Sequence, residues 1–254
     1  MSFTPNLTDY DIILVNSSAG KDSQAMLTML AEMAEDQGVS DRLIVVHCDL
    51  GRVEWEGTRE LAEEQASLYD LRFEVVRRDK GDLLEQIEAR GMFPSSAARY
   101  CTSDQKTSQV AKLMTRLVRE ANLDRPVRIL NCLGIRAQES PARAKKAAFE
   151  VDKTASNGKR HVDRWLPIFD WTTDQVWATI RESGLPYHPA YDAGMPRLSC
   201  VFCVLSGEKE LKIAARLNPA LADEYIAVEE RIGHSFKNGR TIASIVAEAR
   251  EEAA

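Results

Sequence analysis

The first half of the chain alternates short apolar runs with helical stretches. Asp11–Asn16 (DIILVN), Leu43–His47 (LIVVH), Phe73–Val76 and Val127–Leu133 (VRILNCL) are apolar runs of strand length. Between them, Met26, Leu30 and Met33 recur on one helical face, and helices are expected at about 56–69, Leu83–Ala89 and Thr102–Asn122. Strands separated by helices predict right-handed crossover units and a parallel sheet of about five strands covered on both faces, an α/β doubly wound fold. After Leu133 a Gly/Ser/Lys-containing stretch to about His161 predicts a loop or hairpin. A short strand at Trp165–Ile168 and a helix at Thr173–Glu182, capped by Thr172 or Thr173, should follow. Beyond Cys203 the pattern is helical, with Asn218-Pro219 as a start signal and Leu221, Tyr225, Val228 and Ile232 at helical spacing. The expected division is therefore residues 1–205 as the α/β domain and 206–254 as a helical C-terminal extension.

Length and composition fit a globular protein: 254 residues, 44% hydrophobic and 28% charged. No apolar run approaches the roughly 20 residues that span a bilayer, and MSFTPNLTDYD lacks the features of a signal peptide, so a cytoplasmic location is expected. The net charge of −6 does not describe a dedicated nucleic-acid binder. One stretch opposes the average. Ser140–Arg164 carries Arg143, Lys145, Lys146, Lys153, Lys159, Arg160 and Arg164 against Glu150, Asp152 and Asp163, either a solvated loop or a face for a phosphate-rich partner.

Asn16-Ser17-Ser18-Ala19-Gly20-Lys21-Asp22-Ser23 follows the first strand and opens the first helix. That place offers unpaired N–H groups and the positive end of a helix dipole, both suited to phosphate. Gly20 lets an anion approach the backbone, Lys21 adds charge, and Ser18 and Ser23 offer hydroxyls. The loop is not a Walker A motif, because no glycine stands five positions before Gly20 and Asp22 follows the lysine.

The Ser18-x-Gly20-Lys21-Asp22-Ser23 loop resembles the pyrophosphate loop of the adenine nucleotide α-hydrolase superfamily. Asp49-Leu50-Gly51, then Gly134-Ile135-Arg136…Ser140…Arg143, Leu166-Pro167-Ile168-x-Asp170-Trp171 and Tyr187-His188-Pro189 resemble segments of its phosphoadenosine phosphosulfate reductase-like branch. The resemblance covers residues 10–203 and implies a Rossmann-like (HUP-type) fold that binds ATP, an adenylate or a phosphosulfate nucleotide. It implies Asp22 and Asp49 as Mg²⁺ or water ligands and Arg136 and Arg143 as phosphate clamps, with Lys21, Asp22, Asp49 and Arg136 as the catalytic set. Each role has a plainer counterpart: the acids could cap turns, and the arginines could pair with Glu139.

Five cysteines, Cys48, Cys101, Cys132, Cys200 and Cys203, make poor material for a disulfide framework. Iron–sulfur members of the branch hold a [4Fe–4S] cluster with a Cys-Cys pair and a distant Cys-x-x-Cys. Here Cys101 stands alone in the place of the pair, and Cys200-Val201-Phe202-Cys203 matches the second. Three thiolates with an open iron or an outside ligand is the first expectation, and Cys132 and Cys48 adjoin apolar strands. Zn²⁺ on Cys101, Cys200, Cys203 and His188, or free thiols, are the alternatives.

True reductases carry a nucleophilic cysteine in a C-terminal tail, and no cysteine follows Cys203 in this sequence. The expected function is therefore ATP pyrophosphatase or adenylating chemistry in sulfur transfer, of the DNA phosphorothioation or tRNA thiolation type. A cysteine desulfurase and a nucleic-acid acceptor are the expected partners, with homo-oligomerisation open. A sulfonucleotide reductase and a non-catalytic nucleotide-sensing subunit of a modification or defence complex are the alternatives.

Overall fold

The computed structural model describes residues 3–252 and packs them into two compact units, each assembled from separated segments. The first comprises residues 1–47, 57–76 and 110–188, the second 48–56, 77–109 and 189–254.

The first unit is built on a six-stranded sheet. Its strands are β1 (Ile12–Ser17), β2 (Leu43–Asp49), β3 (Arg72–Arg77), β4 (Val127–Leu133), β5 (Phe149–Val151) and β6 (Arg160–Trp165), in the order β3-β2-β1-β4-β6-β5. β1 pairs parallel with β2 and β4, and β4 pairs parallel with β6. The edge strand β5 runs antiparallel to β6, so the stretch expected as a loop or hairpin is a hairpin. The last parallel strand begins earlier than the apolar run Trp165–Ile168 suggested. Arg160, Val162, Asp163 and Trp165 are all buried while His161 is exposed, and the charged residues among the buried ones hide the strand from a search for continuous apolar runs.

Ile13, Leu14 and Val15 of β1 are completely buried, as a central strand of a covered parallel sheet requires. Helix α1 (Lys21–Asp36) lays Met26, Leu27 and Leu30 on one face of the sheet, where they join Val45, Leu130, Cys132 and Trp165 in one core. Helices α2 (Thr58–Ser67) and α5 (Thr173–Ser183) add Ala66, Val176 and Ile180 to it. Thr172 caps α5 through its hydroxyl, which accepts from the Gln175 N–H, while Gln175 returns a bond to the Thr172 N–H. Helix α4 (Ser108–Ala121) is shorter than the expected Thr102–Asn122 helix: Ser103–Thr107 forms one wider π turn, preceded by a short turn at Tyr100–Thr102.

The second unit has its own core. Leu83, Leu84 and Ile87 of α3 (Leu83–Arg90) pack with Phe93, Tyr100, Phe202, Leu211, Tyr225, Phe236 and Ile245. Helices α6 (Glu208–Leu217), α7 (Pro219–Ile232) and α8 (Ile242–Glu251) supply much of it, so residues 206–252 pack as one body with 48–56, 77–109 and 189–205. Glu229 is buried on α7, and its carboxylate accepts from the N–H groups of Phe236 at 2.6 Å and Ile242 at 2.9 Å. It thereby places negative charge at the N-terminus of α8. No helix among the described residues is long and apolar enough to cross a membrane.

Candidate nucleotide loop and cysteine site

The loop after β1 turns on Ala19, which takes a left-handed conformation (φ 52°), and Gly20, which stands at the N-cap of α1. Gly20 offers no side chain to bond the first N–H groups of the helix, so that end of a 16-residue helix stays chemically open to an acceptor. The serines shape the loop from within. The Ser23 hydroxyl donates to the Gly20 carbonyl at 2.8 Å and receives the Ser18 N–H at 3.2 Å, and the Ser17 hydroxyl receives the Ala19 N–H. The sheet order reverses between β1 and β4, and the carboxyl ends of these two strands are where an open α/β sheet takes its ligand. Gly134, just beyond β4, runs so close that a Cβ there would stand 3.0 Å from the Asp22 carbonyl carbon and oxygen and the Ser23 nitrogen.

Three charged side chains interlock beside this loop. Asp22 accepts from Lys21 Nζ at 3.1 Å and from Arg136 Nε at 2.6 Å. Arg136 is 3% exposed and spends its remaining donors on Gln138 Oε1, the Trp171 carbonyl and Thr173 Oγ1. Asp22 is thus held between two cations, and Arg136 is engaged with protein atoms on every side. Arg143 pairs with Glu139, whose carboxylate also receives the Arg136 N–H. The plainer reading of Arg143 is therefore its arrangement here, whereas Arg136 is tied to Asp22. Thr173 and Gln138, which complete the cradle of Arg136, carried no sequence signal of their own beyond helix-start chemistry.

The Leu185–His188 segment belongs to the same unit. Gln24 and Gln65 both donate to the Pro186 carbonyl, at 3.1 and 2.9 Å, and His188 is buried. The basic stretch divides. Arg143, Lys145 and Lys146 lie at the carboxyl end of the parallel strands, whereas Lys153 and Lys159 sit in the β5–β6 turn at the opposite end, about 20 Å away along β6. Arg160 turns inward to Thr115 and the Ala155 carbonyl.

In the second unit, Asp49 and Gly51 form a tight turn. The Asp49 carboxylate accepts the Gly51 N–H at 2.7 Å, and Arg77 lies 3.6 Å from its other oxygen. Gly51 has φ 76°, and a Cβ there would stand 2.4 Å from Asp82 Cβ. A turn-forming role thus accounts for both residues, with Asp82 capping α3.

Cys48, Cys101 and Cys200 pack, half-buried, against the core of this unit. Burial raises the Cys101 thiol, against a hydrogen bond from Thr102, and the neighbouring Cys203 raises it further. Cys200 is pushed up to about 12, chiefly by burial and against the opposing field of Lys106, with Cys203, Glu54 and Cys101 adding to the rise. Lys106, on the π turn, is raised because Cys200, Cys48, Glu54 and Cys101 outweigh its own desolvation. The Cys200–Cys203 turn is held from below by Phe202, whose ring lies 5.0 Å from that of Tyr225, and by Lys237, which donates to the Ser206 carbonyl. Among the described residues no three His, Cys, Asp or Glu side chains draw together as donors to a single metal ion. The thiols of Cys101, Cys200 and Cys203 nonetheless act on one another electrostatically. Three soft sulfur donors beside a lysine fit an iron–sulfur cluster, in which each thiolate takes a separate iron. Cys132 is elsewhere: fully enclosed in β4 within the first unit's core, its thiol raised by burial alone.

The family comparison matches the phosphoadenosine phosphosulfate reductase domain over residues 12–206. The chain belongs to that family. It is a reductase-like domain of the adenine nucleotide α-hydrolase superfamily, whose members bind nucleotides. An uncharacterized 37.8 kDa protein of Escherichia phage 186 is 31% identical over 179 residues, covering 68% of this chain and 52% of the phage protein. The adenosine 5'-phosphosulfate reductase of Allochromatium vinosum is 39% identical over 70 residues, 28% of this chain and 25% of that enzyme. The chain thus spans about half the length of the curated relatives it matches, or less. An FMN adenylyltransferase of Candida glabrata, solved with FMN and an ATP analogue, shares the fold at a TM-score of 0.50 and 15% identity, over 78% of this chain and 57% of that one.

Proposed function

We propose that this family member binds ATP at Ser18–Ser23 and cleaves it between the α- and β-phosphates to activate an acceptor oxygen for sulfur transfer. The observation that carries this reading is the uncapped start of α1 at Gly20, with Gly134 closing on it and Lys21 beside it. In this reading the β,γ-pyrophosphate lies over the open N–H groups and the acceptor oxygen attacks the α-phosphorus. Pyrophosphate leaves, and positioning and electrostatics supply most of the acceleration. Lys21 offsets the charge that develops on the leaving group. Asp22 holds Lys21 and Arg136 in place, and binding of Mg²⁺ at Asp22 or Asp49 would require those carboxylates to exchange their present partners. Arg143 is the more adaptable phosphate ligand, because its partner Glu139 is part of a short turn.

Cys101, Cys200 and Cys203 are the residues that would hold a [4Fe–4S] cluster, which would supply an iron site for the sulfur to be transferred. The acceptor class that fits this chemistry is a nucleic acid, as in DNA phosphorothioation or tRNA thiolation. A cysteine desulfurase would be the sulfur source.

The Lys21→Ala/Asp22→Ala double variant should lose pyrophosphate release at least a hundredfold with circular dichroism unchanged; full turnover would sink the proposal. Anaerobically purified protein should be brown and hold about four irons per chain. Colourless protein with one zinc per chain would replace the cluster by a structural metal site. The family match and the reductase relatives support a second reading, reduction of a phosphosulfate nucleotide. Sulfite release that is lost in Cys101→Ser would favour it.

A further inference from the structure

We infer that Asn16 and Asn131 read the nucleoside of the bound nucleotide, with Asn16 Oδ1 accepting one hydrogen bond from it and Asn131 Nδ2 donating another. The inference rests on the nucleotide-binding reading proposed above and concerns the half of the ligand that carries no phosphate.

The two amides lie where the sheet order reverses, within the first unit. Asn16 is near the carboxyl end of β1 and Asn131 near that of β4, and the strands pair in parallel with Leu14 opposite Asn131 and Asn16 opposite Leu133. Ile13 and Val15 on β1, and Leu130 and Cys132 on β4, join the core beneath α1, so both asparagines turn to the other face of the sheet. On that face the positions one step below them, Leu14 and Ile129, are completely buried and apolar. Two amides at the next positions up depart from the apolar run that central parallel strands otherwise keep. Asn16 also stands two strand residues before Ser18, about 7 Å along the chain from the start of the loop.

Their bonding decides which atoms remain for a ligand. Asn16 Nδ2 donates to the Cys132 carbonyl at 2.9 Å and to Asn131 Oδ1 at 2.7 Å. A backbone carbonyl only accepts, so the nitrogen of Asn16 must face it, and the second hydrogen then holds the oxygen of Asn131. Asn16 has thereby spent both amide hydrogens. Among the described residues, Asn16 Oδ1 and Asn131 Nδ2 make no hydrogen bond, and neither atom is sealed from solvent. Both residues are half-buried. The result is an acceptor held beside a donor. Phosphate at neutral pH offers acceptors alone and would leave Asn16 Oδ1 facing negative charge. A nucleoside offers both, either as the amino group and a ring nitrogen on one edge of adenine or as the hydroxyls of ribose.

The test uses the full chain and measures affinity for α,β-methylene ATP and for inorganic tripolyphosphate. It adds four versions of the methylene analogue, each without one acceptor: adenine N1 or N7 replaced by carbon, or the 2′- or 3′-hydroxyl removed. The parent is compared with Asn131→Ala and Asn131→Asp. The aspartate keeps the oxygen that Asn16 holds and removes only the free donor, so the brace between the strands survives if the alanine variant folds poorly. In the parent, at least one of the four losses should weaken binding about two- to tenfold, the range of a single hydrogen bond. Which one it is tells base from ribose. Both variants should lose that discrimination, and Asn131→Ala should keep the parental affinity for tripolyphosphate. Loosened strands or the new charge of the aspartate would weaken all five nucleotides alike and leave their ratios unchanged. A parent that holds all five equally, or variants that keep every parental ratio, would overturn this inference and leave the nucleotide reading standing. A parent that binds neither the methylene analogue nor tripolyphosphate would overturn that reading and this inference with it.

Discussion

Gly134→Ala should weaken nucleotide binding at least tenfold while leaving most of the fold in place. The added methyl would stand 3.0 Å from the Asp22 carbonyl group and the Ser23 nitrogen, all of them backbone atoms at the first turn of α1. A flexible side chain can step aside from such a contact, but a helix start bonded through Ser23 to Gly20 cannot without moving the loop. Overpacking of this kind costs about 1–3 kcal/mol. Because the strain falls on the loop itself, we expect the affinity for ATP to drop at least tenfold, with only a modest fall in melting temperature. Isothermal titration with a non-hydrolysable ATP analogue beside a thermal melt would check it. Unchanged affinity would mean that the nucleotide does not use the start of α1.

The second large effect is expected at Glu229, far along the sequence from any motif. Its carboxylate receives the Phe236 N–H at 2.6 Å and the Ile242 N–H at 2.9 Å, all in buried surroundings. Glu229→Ala would leave two buried donors unsatisfied, each worth about 1–3 kcal/mol, and would remove negative charge from the start of α8. A loss of roughly 2–5 kcal/mol in denaturant unfolding is expected, enough to loosen the helices that pack beneath the Cys200–Cys203 turn. Glu229→Gln keeps one acceptor oxygen and should recover part of the loss. Equal stability of Glu229→Ala and the parent would show that these contacts contribute little.

The contrast between the two sites explains what the sequence could tell. The loop at Ser18–Ser23 was legible because one short segment carries its glycine, charge and hydroxyls, and because a strand and a helix bracket it. The central strand β1 was legible for a similar reason, as Ile12–Val15 are buried on both faces and read as a continuous apolar run. β6 was not, since charged residues occupy some of its buried positions, and the π turn at Ser103–Thr107 left no trace in a helical pattern. The tie between Arg136 and Asp22 spans 114 residues and depends on how two strand ends approach. Glu229 looked like any solvated helix glutamate.

The way each unit is pieced together has a practical consequence. Because each unit draws on three separated stretches, the chain crosses back and forth, and a stop at residue 205 would not trim an appendage. It would remove α6, α7 and α8, and with them Tyr225, Phe236 and Ile245 from the core that supports the cysteine turn. No single cleavage releases either unit whole. Deletion series and tagged fragments are therefore poor tools for dividing labour in this protein, and paired point substitutions in an intact chain are the workable route.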